Sequence, residues 1–227
     1  KKKGIKVISI SCKRKADIQL LKITKTINHF KMAIIVKNKK FRFKIKHCTE
    51  NFINNLLACI AVISSLNLNL HKLNKKFIDF TIPNGRGDIK KVKMYKKKFT
   101  FIDESYNANP LSMTSAIKNM NYYKIKSSAK KLVFLGDMLE LGKKSLKFHK
   151  DLSTVINKSN IDKVFVYGKY IRETFKSLKE NKKGKVFSNL REAHNHFSKI
   201  IHNNDLLMVK GSNATGLNQF SKNIKRG

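Results

Sequence analysis

Two acidic and two amide side chains stand close together in the stretch FIDESYNANPLSM, residues 101–113. Asp103 and Glu104 end an apolar run, and Asn107 and Asn109 follow within a turn-forming N-A-N-P. Carboxylates in this setting can accept hydrogen bonds from ribose hydroxyls or orient a cation, and the amides add further donors and acceptors. One alternative stays open, in which N-A-N-P is only an Asx turn at a helix start and the acids are exposed.

Acidic residues are rare in this chain and are therefore informative. The chain has 50 Lys and Arg against 14 Asp and Glu, a formal net charge of +36. Where lysine is spread over nearly every segment, an acid kept in a short apolar context indicates a local role. Clustered lysines can release counterions from nucleic-acid phosphates. No basic stripe here alternates with aromatic residues as a strand-binding groove requires, however, so we do not expect nucleic-acid binding.

A second stretch with chemical potential is FLGDMLELGKKS, residues 134–145, which carries Asp137 and Glu140. It resembles a phosphate loop, but five residues separate its glycines and Lys143 is not followed by Ser or Thr. No G-x-x-x-x-G-K-[ST] motif occurs in the 227 residues, so no nucleotide loop is predicted. His149 follows shortly after, and we favour a surface or helix-packing position over a catalytic role for it.

Alternating strand and helix patterns place these stretches at one edge of a sheet. The predicted strands are 99–103, 131–135, 163–167, 185–187 and 205–209, and the helices between and after them are about 111–122, 145–158, 170–180, 190–202 and 215–225. This order predicts an α/β fold with a mainly parallel sheet and helices on both faces. Asp103 and Glu104 end the first strand, and Asp137 follows the second. Lys210 and Ser212 follow the last strand, so all five should meet where the strands end.

The first 85 residues have a different pattern. Residues 4–48 are rich in β signals, and HFKMAIIVK and FRFKIK flank a short polar NKK, which predicts a hairpin. Residues 50–70 are apolar nearly all round and predict a buried helix. A proline and two glycines then cluster in IPNGRGDIKK. We therefore place a domain boundary there and predict domains at 1–85 and 86–227.

Several further features bear on location and metal binding. No apolar stretch approaches the roughly 18 residues that span a bilayer, and the N-terminus lacks a signal-peptide pattern, so we predict a cytoplasmic protein without membrane contact. Cys12, Cys48 and Cys59 are odd in number and lack C-x-x-C spacing, which favours reduced core thiols over disulfides or a metal site. His194 and His196 are two apart on a predicted helix and point to different faces, so no metal site is predicted.

Three motifs, in this order, resemble the Mur ligase family and within it the MurF type. They are FIDESYNANPLSMTSAI, LVFLGDMLELG followed by His149, and LLMVKGS. Upstream, GIKVISISCKRKADIQ and ENFINNLLACIAV are similar to the late part of that family's central ATPase domain. The resemblance covers essentially the whole chain. It implies a Rossmann-like C-terminal domain at 86–227, preceded at 1–85 by the truncated end of the central domain, made of β strands plus a buried helix.

The resemblance also implies an activity, an ATP-dependent and ADP-forming amide ligation in peptidoglycan precursor synthesis. The carboxylate of UDP-N-acetylmuramoyl-tripeptide would attack the γ-phosphate of ATP to give an acyl phosphate. The amine of D-alanyl-D-alanine would then displace phosphate. ATP and Mg²⁺ are the implied cofactors, and a monomer is the implied state.

Residue by residue, the family pattern assigns two groups of positions. Asn51 and Asn54 match adenine contacts, Arg86 matches an arginine that approaches ATP, and the acidic pair Asp103 and Glu104 matches the position of a carboxylate that holds the ribose. The substrate-cleft positions are Asn107, Asn109, Asp137, Glu140, His149, Lys210 and Ser212.

Some family features are changed or lie elsewhere. Glu50 stands where the family has His, and Glu104 where it has Asp, which marks a divergent sequence. The family's phosphate loop, most magnesium ligands, modified lysine and UDP-binding domain correspond to positions upstream of residue 1, so we expect no catalytic residue here and no activity from the chain alone. The alternatives are another Mur-type amide ligase, such as a folylpolyglutamate synthase, and a basic, non-catalytic α/β module that binds RNA.

Overall fold

The chain forms two compact units, Lys1–Ile82 and Pro83–Gly227. The computed structural model describes residues 4–5, 7–48, 50–73, 76–80 and 83–226, and for Asn51 the backbone alone. Each unit has its own sheet, with one hydrophobic core in the first unit and two in the second. No helix within these described ranges is long and apolar enough to cross a membrane.

The first unit is a four-stranded sheet with one long helix. Its elements are β1 (Ile10–Ser11), β2 (Ile18–Lys25), β3 (Phe30–Val36), β4 (Lys39–Ile45) and α1 (Glu50–Ser65). The strands lie in chain order, with β1 and β2 parallel and the later pairs antiparallel. The predicted hairpin is confirmed as β3 and β4. Its turn residues Lys37 and Asn38 both have positive φ, as a tight two-residue turn requires.

One core holds this unit together. Ile34 and Phe43 of the sheet and Leu57 and Ile60 of α1 are almost fully buried in the same cluster. The helix is shorter than the predicted segment 50–70, because it ends at Ser65.

The prediction of core thiols is wrong. Cys48 and Cys59 are exposed and Cys12 is partly exposed, and all three are free. The sequence of α1 is apolar nearly all round and therefore does not reveal that Cys59 lies on an exposed face of the helix.

The second unit is built on six strands. In chain order they are β5 (Asp88–Met94), β6 (Lys97–Glu104), β7 (Lys131–Gly136), β8 (Lys163–Tyr167), β9 (Lys183–Phe187) and β10 (Leu206–Lys210). Across the sheet the order is β5-β6-β10-β7-β8-β9. All neighbouring pairs are parallel except β5 with β6 at one edge. The predicted α/β fold with a mainly parallel sheet is confirmed.

The sequence patterns missed the edge strand β5. Its sequence DIKKVKM buries only Val92, so it has no clear alternating apolar signal. Lysines on an edge strand keep it solvated and discourage pairing with other chains. Tyr95 and Lys96, both with positive φ, connect β5 to β6, and in the resulting register Asp88 lies opposite Asp103.

Helices cover both faces of this sheet. They are α2 (Pro110–Met120), α3 (Ser145–Asn157), α4 (Ile171–Lys176), α5 (Leu190–Ile200) and α6 (Leu217–Arg226). One core joins the sheet to α2, α3 and α4, and a second core, rich in Phe, joins it to α5 and α6. Along β6, Phe101 belongs to the second core and Ile102 to the first. Because side chains alternate along a strand, the next two residues, Asp103 and Glu104, also point to opposite faces.

Candidate functional site

Asp103 is a buried carboxylate at the carboxyl end of β6, on the face covered by α6. It is only 2% exposed. Its Oδ1 accepts hydrogen bonds from the backbone N–H of Ser105 at 3.1 Å and from the Ser105 hydroxyl at 2.6 Å. Its Oδ2 accepts from Lys225 Nζ at 2.6 Å. The alternative with both acids exposed is wrong, since Asp103 is buried and Glu104 is partly buried.

Lys225, in the last turn of α6, lies between two acids. Its Nζ is 2.6 Å from Asp103 Oδ2 and 3.6 Å from Asp88 Oδ2, and its side chain is 12% exposed. Asn84 Oδ1 accepts a third, longer contact at 3.5 Å. One ammonium group thus compensates two neighbouring carboxylates that would otherwise repel each other.

Lys210, at the end of β10, forms the corresponding contact on the other face of the sheet. Its Nζ is 3.3 Å from Glu104 Oε2 and donates to the Asn107 carbonyl at 2.9 Å. Burial lowers the pKa of Lys210, and the nearby Glu104 carboxylate opposes this change. The bond to Asn107 ties the loop after β6 to the neighbouring strand.

The loop that precedes β5 packs against the residues that follow β6. Gly85 accepts a backbone bond from Tyr106 at 3.0 Å, and the Gly87 N–H donates to the Asp103 carbonyl at 2.8 Å. Gly85 has a φ of 77°, and a Cβ there would lie 2.9 Å from the Tyr106 Cβ, so only glycine fits. Arg86 between the glycines places its guanidinium 4.4 Å from the centre of the Tyr106 ring, a cation–π contact. Arg86, Asp103 and Lys210 therefore all lie near the ends of β6 and β10.

Asn107 and Asn109 have different positions. The Asn107 side chain is exposed, and its carbonyl binds Lys210. Asn109 is the N-cap of α2: its Oδ1 accepts from the Ser112 N–H at 2.8 Å, and its own N–H donates to the Ser112 hydroxyl at 3.1 Å. Pro110 occupies the first helical turn. The prediction of a helix start at N-A-N-P is confirmed, and it accounts for Asn109 but not for Asn107.

Asp137 follows β7 and binds backbone groups at the start of α4. Its Oδ2 accepts from the Lys169 N–H at 2.9 Å and its Oδ1 from the Ile171 N–H at 2.7 Å. Gly168 makes this approach possible, since it has a φ of 142° and a Cβ there would lie 2.5 Å from Asp137 Oδ1. The carboxylate is directed towards α4, and its residue is only 6% exposed.

His149 and Ser212 also hold the loop that follows β7. The Met138 N–H donates to His149 Nε2 at 2.9 Å, which leaves Nδ1 to donate to the Ser145 carbonyl at 2.7 Å. His149 is fully buried, and burial lowers its pKa, opposed by the Ser145 bond and by Asp137. The Leu139 N–H donates to the Ser212 hydroxyl at 3.0 Å. His149 thus packs inside the domain, so of the two favoured interpretations the packing role fits the structure and the surface position does not.

Glu140 is an exposed residue of the loop that follows β7. It has a φ of 64° and, among the residues that the structure describes, makes no hydrogen bond or ion pair. Of the three predicted site residues Asp137, Glu140 and His149, only Glu140 is exposed to solvent, and the other two are buried.

A pocket of about 600 Å³ opens beside Asp103. Its walls come from the loop before β5, the end of β6 and the helix α6. Asp103 is its one acid among the described residues, and its basic residues are Lys90, Lys222, Lys225 and Arg226. Such a lining suits a ligand that has both negative charge and hydroxyl donors.

The two positions predicted from the sequence as adenine contacts, Asn51 and Asn54, belong to the first unit. Asn54 is exposed, and its Oδ1 accepts from the Cys12 thiol at 3.1 Å. Burial, followed by the charge of Glu50, raises the pKa of Cys12. The Asn51 side chain lies outside the described residues.

Sequence reasoning missed Ser105 and Lys225. Ser105 could have been found, because a serine two residues after an aspartate commonly bonds back to it. No sequence signal marks Lys225 among 50 basic residues, since its role depends on how α6 packs.

Comparisons with known proteins assign the segment that contains these strand ends to a recognised domain. Residues 85–213 match the family model for the Mur ligase, glutamate ligase domain. A UDP-N-acetylmuramoyl-tripeptide--D-alanyl-D-alanine ligase from Rickettsia prowazekii is 27% identical over 82% of this chain and 40% of its own length. A protein of the same name from Buchnera aphidicola subsp. Baizongia pistaciae is 31% identical over 93% of this chain and 44% of its own length. The chain therefore spans less than half the length of these relatives.

Solved structures show the same fold at low sequence identity. MurF from Acinetobacter baumannii matches 97% of this chain and 47% of its own, with a TM-score of 0.75 and 19% identity. MurF ligase from Thermotoga maritima, solved in complex with ADP, matches 94% of this chain and 48% of its own, with a TM-score of 0.69 and 19% identity.

Proposed function

The chain belongs to the Mur ligase family, and we propose that it forms the carboxyl-terminal part of an ATP-dependent ligase that joins D-alanyl-D-alanine to UDP-N-acetylmuramoyl-tripeptide. One observation carries the proposal: the matched segment 85–213 contains the ends of β6 and β10, with Arg86 in the adjoining loop, Asp103 on one face of the sheet and Lys210 on the other. The names of the Rickettsia and Buchnera relatives support this substrate pair over glutamate addition to a folate.

In this proposal the second unit supplies one wall of a nucleotide site. Asp103 accepts a ribose hydroxyl in the pocket that it lines. Arg86 brings positive charge towards the phosphates, where negative charge builds as the substrate carboxylate attacks and the acyl phosphate forms. Lys210 holds the loop that carries Asn107.

The proposal assigns no Mg²⁺ ligand to this chain. Within the described residues, no group of three or more His, Cys, Asp or Glu side chains is arranged to hold a metal ion. The Mg²⁺ ligands and the phosphate loop would be supplied by the sequence that precedes these residues in the relatives. We further propose that the ligase acts in the cytoplasm as a monomer and that the 227 residues are inactive alone.

A fusion protein tests the activity. The chain would be joined behind the amino-terminal half of the Buchnera relative, and phosphate release from ATP would be followed with both substrates. We expect release that requires both substrates from the fusion and none from the 227 residues alone. Replacing D-alanyl-D-alanine by glutamate should abolish it.

Matched variants test the site. Asp103→Ala in the fusion should raise the KM for ATP about tenfold, because losing a charged hydrogen bond weakens binding by about that factor. Asp151→Ala, which removes an exposed acid from α3, should leave activity unchanged. Turnover by the 227 residues alone would contradict the proposed incompleteness, and a folded but inactive fusion would contradict the proposed activity.

A further inference from the structure

Asp103 has little hydrogen-bonding capacity left for a ligand. An ionised carboxylate offers about four acceptor positions, two on each oxygen. The N–H and hydroxyl of Ser105 use both positions of Oδ1, at 3.1 Å and 2.6 Å. Lys225 Nζ uses one position of Oδ2, at 2.6 Å. One acceptor position therefore remains, and it is on the oxygen that Lys225 holds.

Lys225 is well fixed in this position. Its side chain is 12% exposed, and it contacts Asp88 as well as Asp103. If Lys225 moved away to free Oδ2, the buried Asp103 would keep no cation among the described residues, whereas Asp88 would keep Lys90 Nζ at 3.5 Å. Leaving buried charges without a partner is strongly unfavourable. A ligand in this pocket therefore binds with the ion pair in place.

The same helix also offers positive charge that Asp103 does not use. Lys222 and Arg226 line the pocket, are exposed and make no hydrogen bond or ion pair with any described residue. A ligand with an anionic group and one well-placed hydroxyl would complement both features of the pocket.

We propose that Lys225 is a positioning residue that makes Asp103 accept one ribose hydroxyl and not two. The inference rests on the proposed function, which supplies the nucleotide. Lys225 contacts no ligand group itself, and acts by fixing the rotamer of Asp103 and by occupying half of Oδ2. Asp103 then distinguishes between the two hydroxyls of the ribose.

Titration of the 227-residue chain with ADP, 2′-deoxy-ADP and 3′-deoxy-ADP tests this. Calorimetry would give the three dissociation constants. We expect one deoxy nucleotide to bind about tenfold more weakly than ADP, because it lacks the hydroxyl that Asp103 accepts. The other deoxy nucleotide should bind as ADP does.

Two lysine variants on the same helix separate positioning from charge. Lys225→Met frees Oδ2, so Asp103 can accept both ribose hydroxyls. Each deoxy nucleotide then lacks one of the two hydrogen bonds, and the two should bind alike. Lys222→Met removes a pocket lysine of the same helix that does not contact Asp103. It should weaken all three nucleotides by a common factor and keep their ratio. A merely structural role of Lys225 would lower affinities without changing the ratio.

The outcomes are distinct. If both deoxy nucleotides lose affinity equally in the unsubstituted chain, the inference is overturned and the proposed function stands, and this holds even if Lys225→Met does not fold. An unchanged ratio in a folded Lys225→Met also overturns it. If the 227 residues do not bind ADP, the inference is overturned, and phosphate release by the fusion protein tests the proposed function separately.

Discussion

His149 bonds through both ring nitrogens to backbone groups of the segment that follows β7. Its Nε2 accepts from the Met138 N–H and its Nδ1 donates to the Ser145 carbonyl. An imidazolium has no acceptor nitrogen, so protonation would break the bond to Met138. Burial lowers the pKa of His149. The folded state consequently binds this proton less readily than the unfolded state.

This difference predicts a loss of stability in mild acid. Below about pH 6.5, the ordinary pKa of histidine, the unfolded state takes up the proton first, so the free energy of unfolding should fall with decreasing pH. The loss should continue down to the lowered pKa of the folded state. His149→Phe should reduce this slope and, at neutral pH, cost about 2 kcal/mol by leaving buried backbone groups unpaired. Urea unfolding at a series of pH values measures both effects.

The control for this experiment is His202→Gln, which changes an exposed side chain and should keep the slope. Burial also lowers the pKa of His194 and His196. Both remain in each variant, so the comparison isolates His149. An unaltered slope in His149→Phe would show that the buried ring does not titrate as described.

At the scale of elements, side chains in the loops that follow strands bind backbone groups at the starts of helices. Asn109 caps α2 through a reciprocal pair of bonds with Ser112. Asp137 binds two N–H groups at the start of α4. These contacts fix where α2 and α4 begin.

The two asparagines of N-A-N-P should therefore respond differently to the same change. Asn109→Ala removes the cap and should lower the free energy of unfolding by about 1 kcal/mol. Asn107→Ala removes an exposed side chain without a hydrogen bond among the described residues, and should leave stability unchanged. Denaturant unfolding of both variants measures this. Equal losses in the two proteins would contradict the assigned cap.

An element could be predicted where a local residue pattern determines it, and could not where distant packing determines it. Strands β6 to β10 could be predicted because buried parallel strands read as apolar runs. The strand β5 could not, since its lysines serve an exposed edge. The acids at the end of β6 could be singled out because they interrupt an apolar run. Their partner Lys225 could not, because it lies far along the chain and is one lysine among many.

At the scale of the whole molecule, charge is the dominant feature. A net charge of +36 on 227 residues means that most cations have no acid to pair with. Repulsion among them opposes the compact state. Salt screens this repulsion, and the Debye length falls from about 10 Å at 0.1 M to about 3 Å at 1 M.

We therefore expect the melting temperature to rise as sodium chloride increases over that range. A variant with Lys91→Gln and Lys93→Gln, both exposed on β5, should start higher and gain less from salt. Calorimetry in matched buffers measures both. A melting temperature that falls with added salt would show that attractive ion pairs outweigh the repulsion.

The same salt series decides between the ligase and the RNA-binding alternative. RNA held by lysines should be released steeply as salt rises. Tight, salt-sensitive RNA binding, combined with an inactive fusion protein, would favour the RNA-binding module.

The alternation along β6 has one more consequence. The pocket receives an aspartate and the opposite face a glutamate only because of the parity of the residue count along that strand. Inserting a single residue ahead of Asp103 would exchange them, placing Glu104 against α6 and Asp103 on the side of α2. An inserted residue of any chemical type would then replace the pocket's acid by a longer one.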